Sequence, residues 1–198
     1  METYLTLVNA AHPLKDEDRR KLEEHLMPAD ENFPEILMEE TAARALRALL
    51  RELGAEGQIV PVSGYRTMEE QTQIYEDSLR ENGGEFTKKF VALPGCSEHQ
   101  TGLAIDLGLC KDEIDFICPD FPYEGICQKF RLMAPDYGFV ERYPAGKEAV
   151  TGIGHEPWHF RYVGRPHARI MTDRGLVLEE YLGKSPTSSG RRAPPPGR

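Results

Sequence analysis

Two short segments concentrate the side chains able to do chemistry: Ser97-Glu98-His99-Gln100-Thr101-Gly102-Leu103-Ala104-Ile105-Asp106 and Glu156-Pro157-Trp158-His159. Two imidazoles and two carboxylates in this pattern suit one divalent cation and one general base. His99, Asp106 and His159 make a three-ligand zinc set. Three protein ligands plus a position for water mark catalytic zinc, whereas structural sites are closed by four ligands and rich in Cys. Zinc lowers the pKa of bound water to about 7. Glu156 is then free to take the water's proton and pass it to a leaving amine.

Each pair taken singly has a plainer reading. His99 and Asp106 are seven apart, and an odd separation in a regular strand puts two side chains on opposite faces. Gly102 is the residue that permits the backbone to turn between them. His99 is therefore expected in a loop and Asp106 on a strand. Glu156 and His159 are three apart, and Pro157 with the aromatic run after it argues against a helix. A turn at Pro157 is expected to bring carboxylate and imidazole to one cleft. Without the combination, these are surface polar residues and an aromatic core strand.

The elements that must position these groups are read from periodicity and punctuation. A short strand or extended arm is expected near Tyr4–Val8, with irregular structure up to Pro34. Pro34 and the following glutamates suit the start of a helix, and Gly54 its stop, so a helix is predicted over 34–53. Ile59–Val62 reads as a strand, at an edge because of Pro61. Thr67 with Glu70 forms a capping box that opens a helix running to about Asn82, before Gly83-Gly84. Arg66 falls at this strand-to-helix junction, a place that can aim a side chain into a cleft. Leu103–Leu109 alternates as a strand with Asp106 on the face opposite its leucines. A helix near 125–134, strands near Phe139–Tyr143 and Trp158–Val163, and helices near His167–Arg174 and Leu178–Leu182 complete the set. Residues 183–198 have almost no apolar content and are expected to be disordered.

The chain's 198 residues suit one domain with one sizeable core, expected over 1–182. With 39% hydrophobic and 29% charged residues it reads as soluble and globular. The net charge of −9 argues against a nucleic-acid surface and gives no reason to expect a membrane partner. No apolar run approaches the roughly 20 residues of a membrane span. The N-terminus has no secretory pattern, so a cytoplasmic location is expected. Cys96, Cys110, Cys118 and Cys127 form no C-x-x-C pair and are expected to be free thiols.

Ser-x-His-x-x-Gly-x-Ala-x-Asp at 97–106, Glu-x-Trp-His at 156–159 and Ser-Gly-Tyr-Arg at 63–66 resemble the zinc D-alanyl-D-alanine peptidases of the VanX, VanY and VanXY group. The likeness runs from about Leu5 to Leu182. Asn9-x-x-His-Pro-Leu, the 90–99 segment and Glu-Pro-Trp-His-Phe-Arg-Tyr-Val-Gly at 156–164 look most like the VanXY type. The resemblance implies an α+β fold of the Hedgehog/D,D-peptidase kind, with an antiparallel sheet carrying the ligands and helices on its other face. It implies one Zn²⁺ per chain on His99, Asp106 and His159, Glu156 as base, and Arg66 polarising the scissile carbonyl. Ser97, Gln71 and Trp158 match positions that line the substrate pocket. Substrates would be the D-Ala-D-Ala dipeptide and peptidoglycan precursor peptides, whose trimming confers resistance to vancomycin-type drugs. Two rivals share these motifs: an L-alanyl-D-glutamate endopeptidase of the phage-lysin type, and a zinc-binding module without catalysis. The basic, Pro-rich tail departs from the family's usual ending, as a cloning remnant or a shifted frame would.

Overall fold

A computed structural model describes residues 2–183. A four-stranded antiparallel sheet lies at its centre, in the order β3 (Ile59–Ser63), β4 (Ala104–Leu109), β6 (Glu156–Tyr162), β5 (Phe139–Tyr143). A separate hairpin pairs β1 (Leu26–Asp30) with β2 (Phe33–Glu39). The helices are α1 (Asp16–Glu23), α2 (Glu40–Leu53), α3 (Met68–Phe90), α4 (Gly125–Met133), α5 (Glu148–Thr151), α6 (His167–Asp173) and α7 (Leu178–Tyr181). This is the α+β, antiparallel arrangement expected. No helix among the described residues is long and apolar enough to cross a membrane.

The main core forms where one face of the sheet meets α2 and α4. Ile105, Leu107 and Phe160 from the strands are closed over by Leu46, Leu49 and Leu50 of α2 and by Phe130 of α4, all fully buried. The aromatic rings of Phe121, Phe130 and Phe160 meet edge to face at 5.0–5.7 Å, a favoured geometry for ring quadrupoles. The opposite face of β4 and β6 is also buried, but under polar side chains.

Several expectations are corrected. The segment Tyr4–Val8 forms no strand, and its first two residues belong to a 3₁₀ turn, Glu2–Leu5, rather than to an extended arm. The segment up to Pro34 is not irregular, since it holds α1 and β1. The helix predicted from Pro34 begins only at Glu40. Residues 33–39 pair with β1 instead, with Met27 opposite Met38 and Leu26 opposite Glu39. Pro34 lacks an N–H and is tolerated in such a two-stranded ribbon. The hairpin reverses where Asp30 Oδ1 accepts from the Asn32 amide at 2.7 Å, an Asx turn. The true helix start is Glu39, whose carboxylate accepts from the amides of Thr41 and Ala42 at 2.9 and 3.0 Å. Gly54 ends α2 in the left-handed region, as expected.

The Thr67–Glu70 capping box is present. Gly83 breaks the helical dihedrals but does not stop α3, which resumes and runs to Phe90. One stabilising contact across this kink is the buried Ser78–Thr87 hydroxyl pair at 2.8 Å. The expected strand at 158–163 starts two residues earlier, at Glu156. Residues 184–198, whose disorder the sequence predicts, lie outside the described residues.

Candidate metal centre

Asp106 and His159 are directly opposite one another on the paired strands β4 and β6. Residues opposite in an antiparallel pair share a face, so register alone brings this carboxylate and imidazole together. His159 Nδ1 lies 2.9 Å from Asp106 Oδ1. His99 arrives from a 3₁₀ turn, Glu98–Thr101, which Gly102 closes at φ 68°. Its Nε2 lies 3.1 Å from Asp106 Oδ2. One ligand-type atom from each of the three residues falls within 4.8 Å of the others, and all three side chains are buried.

This donor set fits a zinc-sized ion. Two ligands at zinc's bonding distances on one tetrahedral ion stand about 3.3 Å apart, close to the two separations found here. His99 Nδ1 is 2.7 Å from the carbonyl oxygen of Gly64. A carbonyl only accepts, so Nδ1 carries the proton and Nε2 presents a bare lone pair to the ion. Gly64 has no side chain because the backbone of β2 passes over it. A Cβ there would stand 2.2 Å from the Leu37 oxygen.

Glu156 reaches the same face by a bulge rather than a turn. Between the Phe160–Glu141 and Glu156–Tyr143 pairs, β6 places three residues against one of β5. The extra residues, Pro157 among them, rotate Glu156 out of strict alternation. Its Oε2 then stands 3.7 Å from His159 Nδ1. Arg131 steadies this bulge, donating to the Pro157 carbonyl at 2.8 Å and to Glu141 at 2.8 Å.

Arg66 sits at the predicted junction between β3 and α3. It donates through Nε to Ser63 at 2.9 Å, through Nη1 to Gln71 at 3.3 Å and through Nη2 to Asp106 at 3.1 Å. Three of its five N–H groups are thus engaged, leaving two for a ligand. Gln71 is buried behind Arg66, bridging it to the Ala92 carbonyl at 2.8 Å, and does not line the cleft. Ser97 and Trp158 do line it. The cleft opens above the three ligands, with Ile74, Phe90, Val91, Phe116, Ile117 and Ile153 as its apolar walls.

Burial dominates the electrostatics, and neighbours decide each sign. Burial would raise Asp106, yet His99 and His159 beside it hold its carboxyl far below the carboxylate range. Burial, helped by the Arg66 charge, pushes His99 down to about 4. His159 is also pulled down by burial, but Asp106 and then Glu98 lift it to about 9 in the ion-free protein. Glu156 is pushed up to about 8 by burial, with Asp106 adding to the rise against the pull of His159 and Arg66. A carboxyl poised near neutrality can both accept and return a proton.

The sequence reading missed a buried layer beneath the ligands. Glu98, Arg142, Arg161 and Glu179 are each at most 2% exposed. Arg142 donates to Glu98 at 2.8 Å and to both oxygens of Glu179 at 2.7 and 2.9 Å, and Arg161 Nη1 lies 2.9 Å from Glu98. The Tyr143 ring leans on the His159 ring, centroids 4.8 Å apart. A signal was present: arginines inside the aromatic strands Phe139–Tyr143 and Trp158–Val163 require buried counter-charges.

Three protein ligands at the floor of an open cleft, with an uncommitted carboxylate beside them, define a catalytic metal centre rather than a structural one. The family model for VanY, D-alanyl-D-alanine carboxypeptidase, matches residues 35–165. The bifunctional D-Ala-D-Ala dipeptidase and D-Ala-D-Ala carboxypeptidase VanXYC of Enterococcus gallinarum is 47% identical over 178 residues, covering 89% of this chain and 92% of that protein. The crystal structure of the vancomycin resistance D,D-dipeptidase VanXYg with a D-Ala-D-Ala phosphinate analog superposes with a TM-score of 0.87 at 57% identity, over 92% of this chain and 72% of that one. A point mutant of the vancomycin resistance D,D-pentapeptidase VanY in complex with Zn(II) superposes with a TM-score of 0.70 at 30% identity, over 91% and 99%. The chain belongs to the VanY D-alanyl-D-alanine carboxypeptidase family.

Proposed function

We propose that this chain is a zinc peptidase that hydrolyses the bond between two D-alanines, in the free dipeptide and at the C-terminus of peptidoglycan precursor peptides. The observation that carries the reading is the convergence of His99, Asp106 and His159 on one point, with Glu156 and Arg66 flanking it. A zinc ion held there supplies Lewis acidity toward a water and a carbonyl oxygen. Glu156 takes the proton of the attacking water and returns it to the departing amine nitrogen. The free N–H groups of Arg66 face the oxygen on which negative charge develops. Gln71 and Ser63 hold that guanidinium in place. The apolar walls suit alanine methyls, and the Ser97 hydroxyl and Trp158 ring complete the substrate contacts.

The likeness to a bifunctional relative supports both substrates. Four unpaired cysteines fit a cytoplasmic location, where thiols stay reduced. Residues 1–182 are proposed to act as a single peptidase domain. Removal of D-Ala-D-Ala termini would reduce the targets of vancomycin-type drugs.

The test is D-alanine release from D-Ala-D-Ala and from a precursor pentapeptide, with and without a chelator. Release from both substrates that stops with chelator and returns with zinc is expected. Zinc binding without release from either would overturn the proposal; cleavage of L-alanyl-D-glutamate bonds would then assign the endopeptidase, and no cleavage at all the non-catalytic module.

A further inference from the structure

We infer that Glu98 is the positioning residue of His159, setting the tautomer and aim of this ligand from behind. The inference rests on the reading above that His159 holds a zinc ion. His159 turns Nδ1 toward Asp106, and the other ring nitrogen, Nε2, turns toward Glu98. A ring that gives one nitrogen's lone pair to an ion keeps its single proton on the other. That proton would then sit on Nε2, where Glu98 Oε2 stands 3.6 Å away.

The distance is longer than a hydrogen bond, yet neither atom has another partner among the described residues. Both are buried, and a buried polar atom left unsatisfied is costly, so closure of the gap is favoured. The other Glu98 oxygen is fixed by Arg142 and Arg161 at 2.8 and 2.9 Å. Arg142 is fixed in turn by the two oxygens of Glu179 on α7. Glu98 is therefore held in place, with its spare oxygen 3.6 Å from His159 Nε2. A carboxylate behind a ligating imidazole holds the ring and raises its donor strength. One 3₁₀ turn thus serves two ligands: Glu98 backs His159, and the next residue, His99, binds directly.

The test compares Glu98→Gln with Glu179→Gln in the full chain. Glu179→Gln removes a carboxylate from the same buried cluster but leaves the oxygen that faces His159. Zinc affinity is read by competition with a chromophoric chelator, and thermal stability of the ion-free proteins by circular dichroism. Both variants are expected to melt lower than wild type. Glu98→Gln is expected to bind zinc about 10–100-fold more weakly, and Glu179→Gln within about threefold of wild type. Equal affinity in Glu98→Gln and wild type, or equal weakening in both variants, would overturn the inference.

A second measurement needs no variant. In zinc-loaded wild type with ¹⁵N-histidine, long-range ¹H–¹⁵N correlation should place the His159 proton on Nε2, in slow exchange with water. A proton on Nδ1 would refute the geometry. Wild type that binds no zinc would instead remove the functional reading beneath it.

Discussion

At the scale of single residues, the proposed function separates side chains that hold from those that react. Glu156 makes no bond to the three ligands that its removal would break, so Glu156→Gln should keep zinc affinity near wild type. Its kcat should fall about 10²–10⁴-fold, the usual contribution of a proton-transfer group, as read by D-alanine release. Arg66 differs because it bonds Ser63, Gln71 and Asp106 at once. Lysine carries the charge but not the planar fork, so Arg66→Lys should rescue little. A kcat loss of about 10²–10³-fold is expected for both Arg66→Lys and Arg66→Ala. The residues proposed to react were legible in the sequence because the chemistry demands residue types that are uncommon together. Glu98, Arg142 and Arg161 were not legible as a cluster. Charge in a strand is ordinarily a sign of exposure, and only the fold turns Arg142 and Arg161 inward against Glu98 of the 3₁₀ turn.

At the scale of elements, the site depends on three deviations from regular structure. The first is the bulge of β6, pinned by Arg131 through the carbonyls of Phe121, Pro122 and Pro157. Arg131→Met keeps the stem but removes these bonds. It should lower kcat more than zinc affinity, because Glu156 lies in the bulge and His159 near its end. The second is the close passage of β2 over Gly64. Gly64→Ala would force the Leu37 backbone to move by more than an ångström, unseating the carbonyl that orients His99. A loss of several kcal/mol in denaturant unfolding and a weakened zinc site are expected, as for other overpacked positions. The third is the turn at Gly102, whose φ of 68° and close neighbours, Leu26 Cδ2 and the Glu39 amide, both require glycine. Sequence punctuation located Gly102 and the Thr67 cap, because each is a local rule. It misread 34–39, because a proline and two glutamates suit a helix start as well as a ribbon, and pairing with β1 decided between them. Gly83 was read as a stop for a similar reason: one glycine kinks a helix, and contacts beyond it determine whether the helix resumes.

At the scale of the whole molecule, one face of the sheet is devoted to apolar packing and the other to buried charge. The apolar face carried the sequence signals of period and aromatic content, so the sheet's strands and α4 were readable in advance, while the α+β class came from the family resemblance. The charged face is costly without its cation, since three buried donors converge on one point. Zinc at a hundredfold excess over its Kd should therefore stabilise the fold by about 2.7 kcal/mol, raising Tm by about 5–10 °C for a domain of this size. A melting temperature unmoved by zinc would count against the site. The register of β4 with β6 has a further consequence. Asp106 and His159 are 53 positions apart in the chain yet face each other across one rung of the ladder. An ion gripping both is a clip that closes a long loop, much as a covalent cross-link would, and the loop it closes contains α4 and β5. Loading should therefore slow amide hydrogen exchange along that central rung and throughout the enclosed loop, well beyond the residues the ion touches.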